Sequence, residues 1–304
     1  MQSKSIRLAV LSALFVGSTS AFASISGITS FGDSLSDMGN VSAGTFGLAP
    51  GANYWQGRWS NGNVWVERYA TSQSWSISRS SAGGNNWAYG GAETGTGTFG
   101  FFFPNVRNQV ASYLGTSPTI SSNRLFSIWG GGNDYRNGAT NPATPVSNIE
   151  ASITSLYGAG ARVFLIPNLP LLGYIPQYFG TPNQAGATAL SIAHNSLLKS
   201  RISALRSSLA GVTIYEMDVA TRFEDVRMNP ALYGLTNVTQ SALVGNTLVP
   251  NPDSYLFYDE IHPTRKGHEI LKNLAIQSVP EPATMATVTL ATLILARRRR
   301  LKAN

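Results

Sequence analysis

Phe31-Gly32-Asp33-Ser34-Leu35-Ser36-Asp37-Met38-Gly39-Asn40 follows a β-like run from Ile25 to Ser30. An apolar strand that gives way to Gly, Asp and Ser describes a chain leaving a sheet edge and turning into a helix. Asp33, Ser34 and Ser36 are all capable N-caps, because a short side-chain oxygen accepts an orphan helix N–H. A hydroxyl in such a place meets converging N–H groups and the positive end of the helix dipole, which favours negative charge. Two readings are open on these ten residues: a capped turn, and the seat of a nucleophile.

Outward from this turn, apolar β-rich runs alternate with helical stretches. An irregular region rich in Gly, Asn and Trp follows, then a helix over Asn63 to Ala70 and a short strand around Trp75 to Ser78. Pro104 to Leu114 reads as a helix and Arg124 to Trp129 as a strand. In the helix Val146 to Gly158, Ile149, Ile153, Leu156 and Tyr157 stand at helical spacing. Arg162 to Ile166 is continuously apolar and stopped by Pro167, as expected of a strand buried on both faces. A long helix over Asn183 to Leu209 carries Leu190, Ala193, Leu197, Leu198, Ile202 and Leu205 as its apolar stripe. Val212 to Met217 is a strand, Val219 to Val226 a helix, and after a loop of about 30 residues a last helix starts at Pro263. Such alternation means an α/β fold around a mostly parallel sheet.

Ligands of such sheets sit beyond the carboxyl ends of the strands. Ser34 follows the first strand, Gly91 lies in the loop after the second, and Asn133 follows the third, so three polar clusters share one edge. Core packing does not require that coincidence, and it favours a site. A serine nucleophile needs a base and a group to orient the base. Of three histidines, His194 reads as a surface or core-edge residue of the long helix and His268 as a solvated residue of the last one. His262 stands on the turn before that helix, in Tyr258-Asp259-Glu260-Ile261-His262-Pro263-Thr264, with Asp259 three residues back and able to reach its ring. Pro263 is expected at the first helical position. A helix cap with a neighbouring carboxylate is the plainer reading of the same residues. Oxyanion donors are open to the Ser34 N–H, to Gly91, where the missing Cβ permits close approach, and to the Asn133 amide behind three glycines. No H-E-x-x-H or G-x-S-x-G occurs.

The ends of the chain are address labels. Lys4 and Arg7, the apolar run Leu8 to Val16 and Ala21-Phe22-Ala23 read as a signal peptide, residues 1–23. Val279-Pro280-Glu281-Pro282, the apolar run Ala283 to Ala296 and Arg297 to Arg300 resemble the PEP-CTERM sorting signal of bacteria. That resemblance implies a Gram-negative host, processing by an exosortase-type membrane enzyme, and transient inner-membrane association through a C-terminal transmembrane helix. Residues 24–278 remain as one domain and 279–304 as the sorting tail. Of 22 basic and 15 acidic residues the ends hold seven and one, so a net charge of +7 falls to +1 in the body. That balance argues against nucleic-acid binding. Cysteine is absent, which excludes thiol nucleophiles, disulfides and Cys-based metal sites.

Four blocks carry a further resemblance: Phe31 to Asp37, Asn86-Trp87-Ala88-Tyr89-Gly90-Gly91-Ala92, Gly131-Gly132-Asn133-Asp134 and Asp259 to Thr264. In this order they resemble the GDSL, or SGNH, hydrolases. Arg58-Trp59-Ser60-Asn61-Gly62 and Tyr255 to Asp259 look like the lecithinase, haemolysin and outer-membrane esterase branch. The resemblance implies a flavodoxin-like three-layer α/β/α sandwich, with Ser34 as nucleophile, His262 as base and Asp259 as its orienter. It also implies an oxyanion hole of Ser34, Gly91 and Asn133, and no metal or organic cofactor. The expected activity is an exported hydrolase of carboxylic esters, acting on a lipid or an acylated glycan. A carbohydrate O-acetyl esterase and a non-catalytic matrix-binding scaffold are the alternatives. Trp55, Trp59, Trp87, Phe99 and Phe101 to Phe103 are candidates for an apolar wall along the acyl chain. Some relatives carry cysteines in the loop before Asp259, and this chain has none.

Overall fold

The structure is a computed structural model that describes residues 24–100 and 102–280. Ile25–Pro280 form one compact unit. Four parallel strands make the central sheet: β1 (Ile28–Gly32), β2 (Leu125–Trp129), β3 (Val163–Pro167) and β4 (Thr213–Met217), neighbours in that order.

Alternation along each strand sorts its side chains to two faces. Ile28, Leu125, Trp129 and Leu165 enter one core, with helices α1 (Trp65–Ser72) and α6 (Arg265–Ser278), which pack on each other. Phe31, Phe126, Ile128, Phe164 and Ile166 enter the other, with α2 (Val106–Gly115), α3 (Ala143–Gly158) and α4 (Gln184–Ser208). A further helix, α5 (Val219–Met228), contributes Val219, Phe223 and Val226 to the first core. The result is the expected α/β three-layer sandwich.

Several expectations need correction. No strand forms at Trp75 to Ser78, because the Asn85 amide takes the places a ladder would use. It accepts from the Ser78 N–H and donates to the Ile28 and Ser76 carbonyls. The segment from Asn85 to Tyr89 lies beside β1 instead, bonded through Ser30 N–H to Asn85 O (3.0 Å), Trp87 N–H to Ser30 O (2.7 Å) and Tyr89 N–H to Gly32 O (3.1 Å). The last helix starts at Arg265, with the Thr264 hydroxyl as its cap, so Pro263 precedes the helix. The stripe of α4 is rotated: Ser191, His194, Leu198, Ile202 and Leu205 are buried, while Ala193 is exposed. The expected transmembrane helix is also corrected. Among the described residues no helix is long and apolar enough to cross a membrane, where about 20 apolar residues are needed. The run Ala283 to Ala296, on which that expectation stood, lies outside the described residues.

Candidate active site

Ser34 sits in a tight turn beyond β1, not on a helix. Asp33 shapes the turn: its Oδ1 accepts the Leu35 N–H (3.0 Å) and its carbonyl the Ser36 N–H (3.0 Å). The next helix, Asn40–Gly44, is capped by Asp37, whose carboxylate accepts the Gly39, Asn40 and Val41 N–H groups. Before the turn, Gly32 passes so close to β2 that a Cβ would lie 2.4 Å from the Trp129 carbonyl oxygen. The Gln109 amide ties that glycine on both sides, accepting its N–H (2.9 Å) and donating to its carbonyl (2.8 Å).

Asp37 reaches further. Its Oδ2 accepts the Gly90 N–H (2.9 Å), while Asn86 donates to the Ser36 carbonyl (2.8 Å) and Asn40 to the Asn86 and Ala88 carbonyls. The second block is thereby pinned to the serine turn. Gly91 has φ +94°, a left-handed conformation open to glycine, and a Cβ there would meet the Phe99 ring at 2.7 Å. The Gly90 N–H is taken by Asp37, whereas the Gly91 and Ser34 N–H groups make no hydrogen bond among the described residues. Asn133, in the short helix Gly132–Arg136, donates from Nδ2 to the Ala92 carbonyl (3.0 Å), next to Gly91. Its Oδ1 accepts from Arg136 Nη1 (3.0 Å), leaving one amide hydrogen uncommitted.

The fourth block closes the constellation. His262 Nε2 lies 2.8 Å from Ser34 Oγ, and Nδ1 lies 2.7 and 3.0 Å from the two Asp259 oxygens. Asp259 also accepts the Ile261 and His262 backbone N–H groups (2.8 and 2.7 Å) and the Tyr54 hydroxyl (2.7 Å). Burial alone would raise the Asp259 carboxyl, but the His262 charge and these donors hold it well below the usual carboxylate range. Ser34 and His262 are both about 95% buried, at 6% and 5% exposure. Trp59 packs 5.3 Å from the imidazole, ring to ring. At Asp33, burial pushes the carboxyl up to about 6, against the Leu35 N–H and the His262 charge.

The five residues named from sequence therefore lie together, and the other two histidines lie elsewhere. His194 and His268 are fully buried, not at the surface. His194 Nδ1 pairs with the Tyr135 hydroxyl (2.9 Å), and burial pushes the ring down to about 4. His268 Nδ1 accepts the Trp65 N–H at the start of α1 (3.1 Å), and burial pushes it to about 3. Among the described residues no group of three His, Asp or Glu could hold a metal ion. Tyr54, Gln109 and Arg136 were missed, since a tyrosine in a loop and polar residues on helices carry no local signal of what they face.

An apolar cleft opens beside Ser34 and Asn133. Leu35, Trp129, Leu169, Leu172, Ile175, Phe223 and Ile261 line it. Among the described residues, none of the aromatic residues expected as an acyl wall does. Trp59 packs on His262, Trp87 packs edge-on against Tyr113, Phe99 covers Gly91 and Phe103 stacks on Tyr89, while Phe102 is exposed. Phe101 lies outside the described residues.

Comparison with known proteins identifies the family of the chain. Residues 28–274 match the GDSL-like lipase/acylhydrolase family, and residues 278–300 match the PEP-CTERM protein-sorting motif. A GDSL esterase/lipase of Arabidopsis thaliana is 30% identical over 57% of this chain and 54% of its own. The thermolabile hemolysin of Vibrio parahaemolyticus is 24% identical over 84% of this chain and 64% of its own. The chain thus spans between half and two thirds of the length of these curated relatives. A crystal structure of a lipolytic G-D-S-L protein from Veillonella parvula superposes with a TM-score of 0.50 at 13% identity, covering 83% of this chain and 96% of that one, a likeness of fold.

Proposed function

The chain belongs to the GDSL-like lipase/acylhydrolase family, and on that premise we propose that residues 24–278 form an exported serine hydrolase that cleaves carboxylic esters through an acyl-enzyme. The observation that carries this reading is the unbroken line of hydrogen bonds from Ser34 Oγ through both His262 nitrogens to Asp259.

As His262 Nε2 takes the Ser34 proton, Oγ attacks the ester carbon. The imidazolium formed is held by the Asp259 carboxylate, ionised throughout the working range. Negative charge develops on the carbonyl oxygen, and the Ser34 N–H, Gly91 N–H and free Asn133 amide hydrogen receive it. The imidazolium returns its proton to the leaving alcohol, and water then repeats the sequence on the acyl-enzyme. The apolar cleft beside Ser34 takes the acyl chain, which favours acyl groups longer than acetyl and makes glycan deacetylation the second reading. The signal peptide directs export, and the tail from Val279 is removed near Pro280-Glu281-Pro282 by an exosortase-type enzyme.

Incubation with a fluorophosphonate tests the nucleophile. The wild-type protein is expected to be labelled once per chain and Ser34→Ala not at all. An unlabelled wild type, or labelling that survives the substitution, defeats the assignment and favours an inert scaffold.

A further inference from the structure

Asn133 must present an N–H, not its carbonyl, to a developing oxyanion, and a primary amide can turn either way. Arg136, one helical turn on, removes that freedom. A guanidinium only donates, so its Nη1 at 3.0 Å selects Oδ1, while the Ala92 carbonyl at 3.0 Å selects Nδ2. The guanidinium is itself anchored. Its Nε donates to Gln177 Oε1 (2.9 Å), and the Gln177 N–H donates to the Glu260 carbonyl (2.9 Å), inside the turn that carries Asp259 and His262. Arg136 lines the cleft, half-buried beside Asn133, where a charge acts on a neighbouring dipole more strongly than in water.

We propose that Arg136 is the positioning residue of the oxyanion donor. It locks the Asn133 amide with one N–H aimed at the substrate oxygen, draws electron density toward Oδ1 so that this N–H donates more strongly, and braces the donor, through Gln177, against the turn that carries the base. This rests on the acyl-transfer reading above. A bond worth more in the transition state than in the ground state appears in kcat and leaves KM unchanged.

The test is a double-mutant cycle on the purified full chain, with p-nitrophenyl butyrate as probe ester. Removing a whole oxyanion donor typically costs a factor of 10²–10³, so leaving it unoriented should cost about tenfold in kcat. Arg136→Gln is expected to show that loss at unchanged KM, and to add nothing once Asn133 is already alanine. Gln177→Leu, which frees the guanidinium but leaves it in place, should lower kcat in the same non-additive way, and it keeps the cycle readable if Arg136→Gln fails to fold. A full, additive loss in the Asn133→Ala background, or a rise in KM alone, overturns the positioning role. If Asn133→Ala itself leaves kcat intact, or the wild type turns over no ester, the acyl-transfer reading falls and the inference with it.

Discussion

Asp33 stands next to the nucleophile in sequence, yet the proposed chemistry leaves it idle. Its side chain shapes the turn by accepting the Leu35 N–H, and the location costs stability when the carboxyl ionises. Burial pushes that carboxyl from 3.8 up to about 6. A folded value above the unfolded one means that the associated stability is complete below about pH 4 and lost as pH rises through 6. Asp33→Asn keeps an acceptor for Leu35 and removes the charge. It should leave the melting temperature unchanged near pH 4 and raise it at pH 8, by up to roughly 3 kcal/mol of stability. Equal effects at both pH values would show that the charge is not what the fold resists. Ser34 and His262 were legible from residue type and motif. Tyr54 was not, because its hydrogen bond to Asp259 joins residues 205 positions apart.

At the scale of elements, the loop carrying Asp259 and His262 is held without a disulfide. The Gly- and Trp-rich stretch from Asn53 to Asn61 clamps it instead. Tyr258 donates its hydroxyl to the Asn53 carbonyl, Ser60 donates to the Pro263 carbonyl (2.8 Å), and Asn61 Oδ1 accepts the Arg265 N–H (2.6 Å). Arg265 in turn forms an ion pair with Asp253. Asn61→Ala leaves the first-turn N–H of α6 without its acceptor, a loss of about 1 kcal/mol that should lower the melting temperature by roughly 2–4 °C. It should also lower kcat, because the base sits three residues before that N–H. A variant as stable and active as the wild type would remove the clamp from the account. The same scale explains the failed strand at Trp75 to Ser78: a nearby asparagine amide satisfies backbone groups that a ladder would otherwise have paired. Propensity within the stretch does not contain that competition.

Across the molecule, the cleft draws on residues from distant parts of the chain: Leu35 after β1, Trp129 on β2, Leu169 and Leu172 after β3, Phe223 on α5 and Ile261 beside the base. Leu172→Trp places an indole in that space. The kcat/KM ratio for octanoate over acetate esters should fall by about tenfold or more, since each methylene contributes about 1–3 kcal/mol of discrimination. An unchanged ratio would place the acyl chain elsewhere.

By itself the sequence determined the alternation of strands and helices, the α/β class and the five residues that meet at the sheet edge. Those features are local in spacing, or carried by motifs whose chemistry tolerates few residue types. Tertiary structure alone decided that two histidines are buried, that Asp37 takes the Gly90 N–H, that Asn133 is turned by Arg136, and that the apolar cleft is lined by residues such as Leu35, Trp129, Leu172 and Phe223 and not by the described aromatic residues of the loop. Each of these depends on which side chain arrives from far along the chain to fill a volume or take a hydrogen bond. Such encounters leave no period, cap or motif in the residues themselves. The ten residues around Ser34 show the division: their sequence makes the turn, and contacts from Gln109, Asn86 and His262 make it a candidate active site.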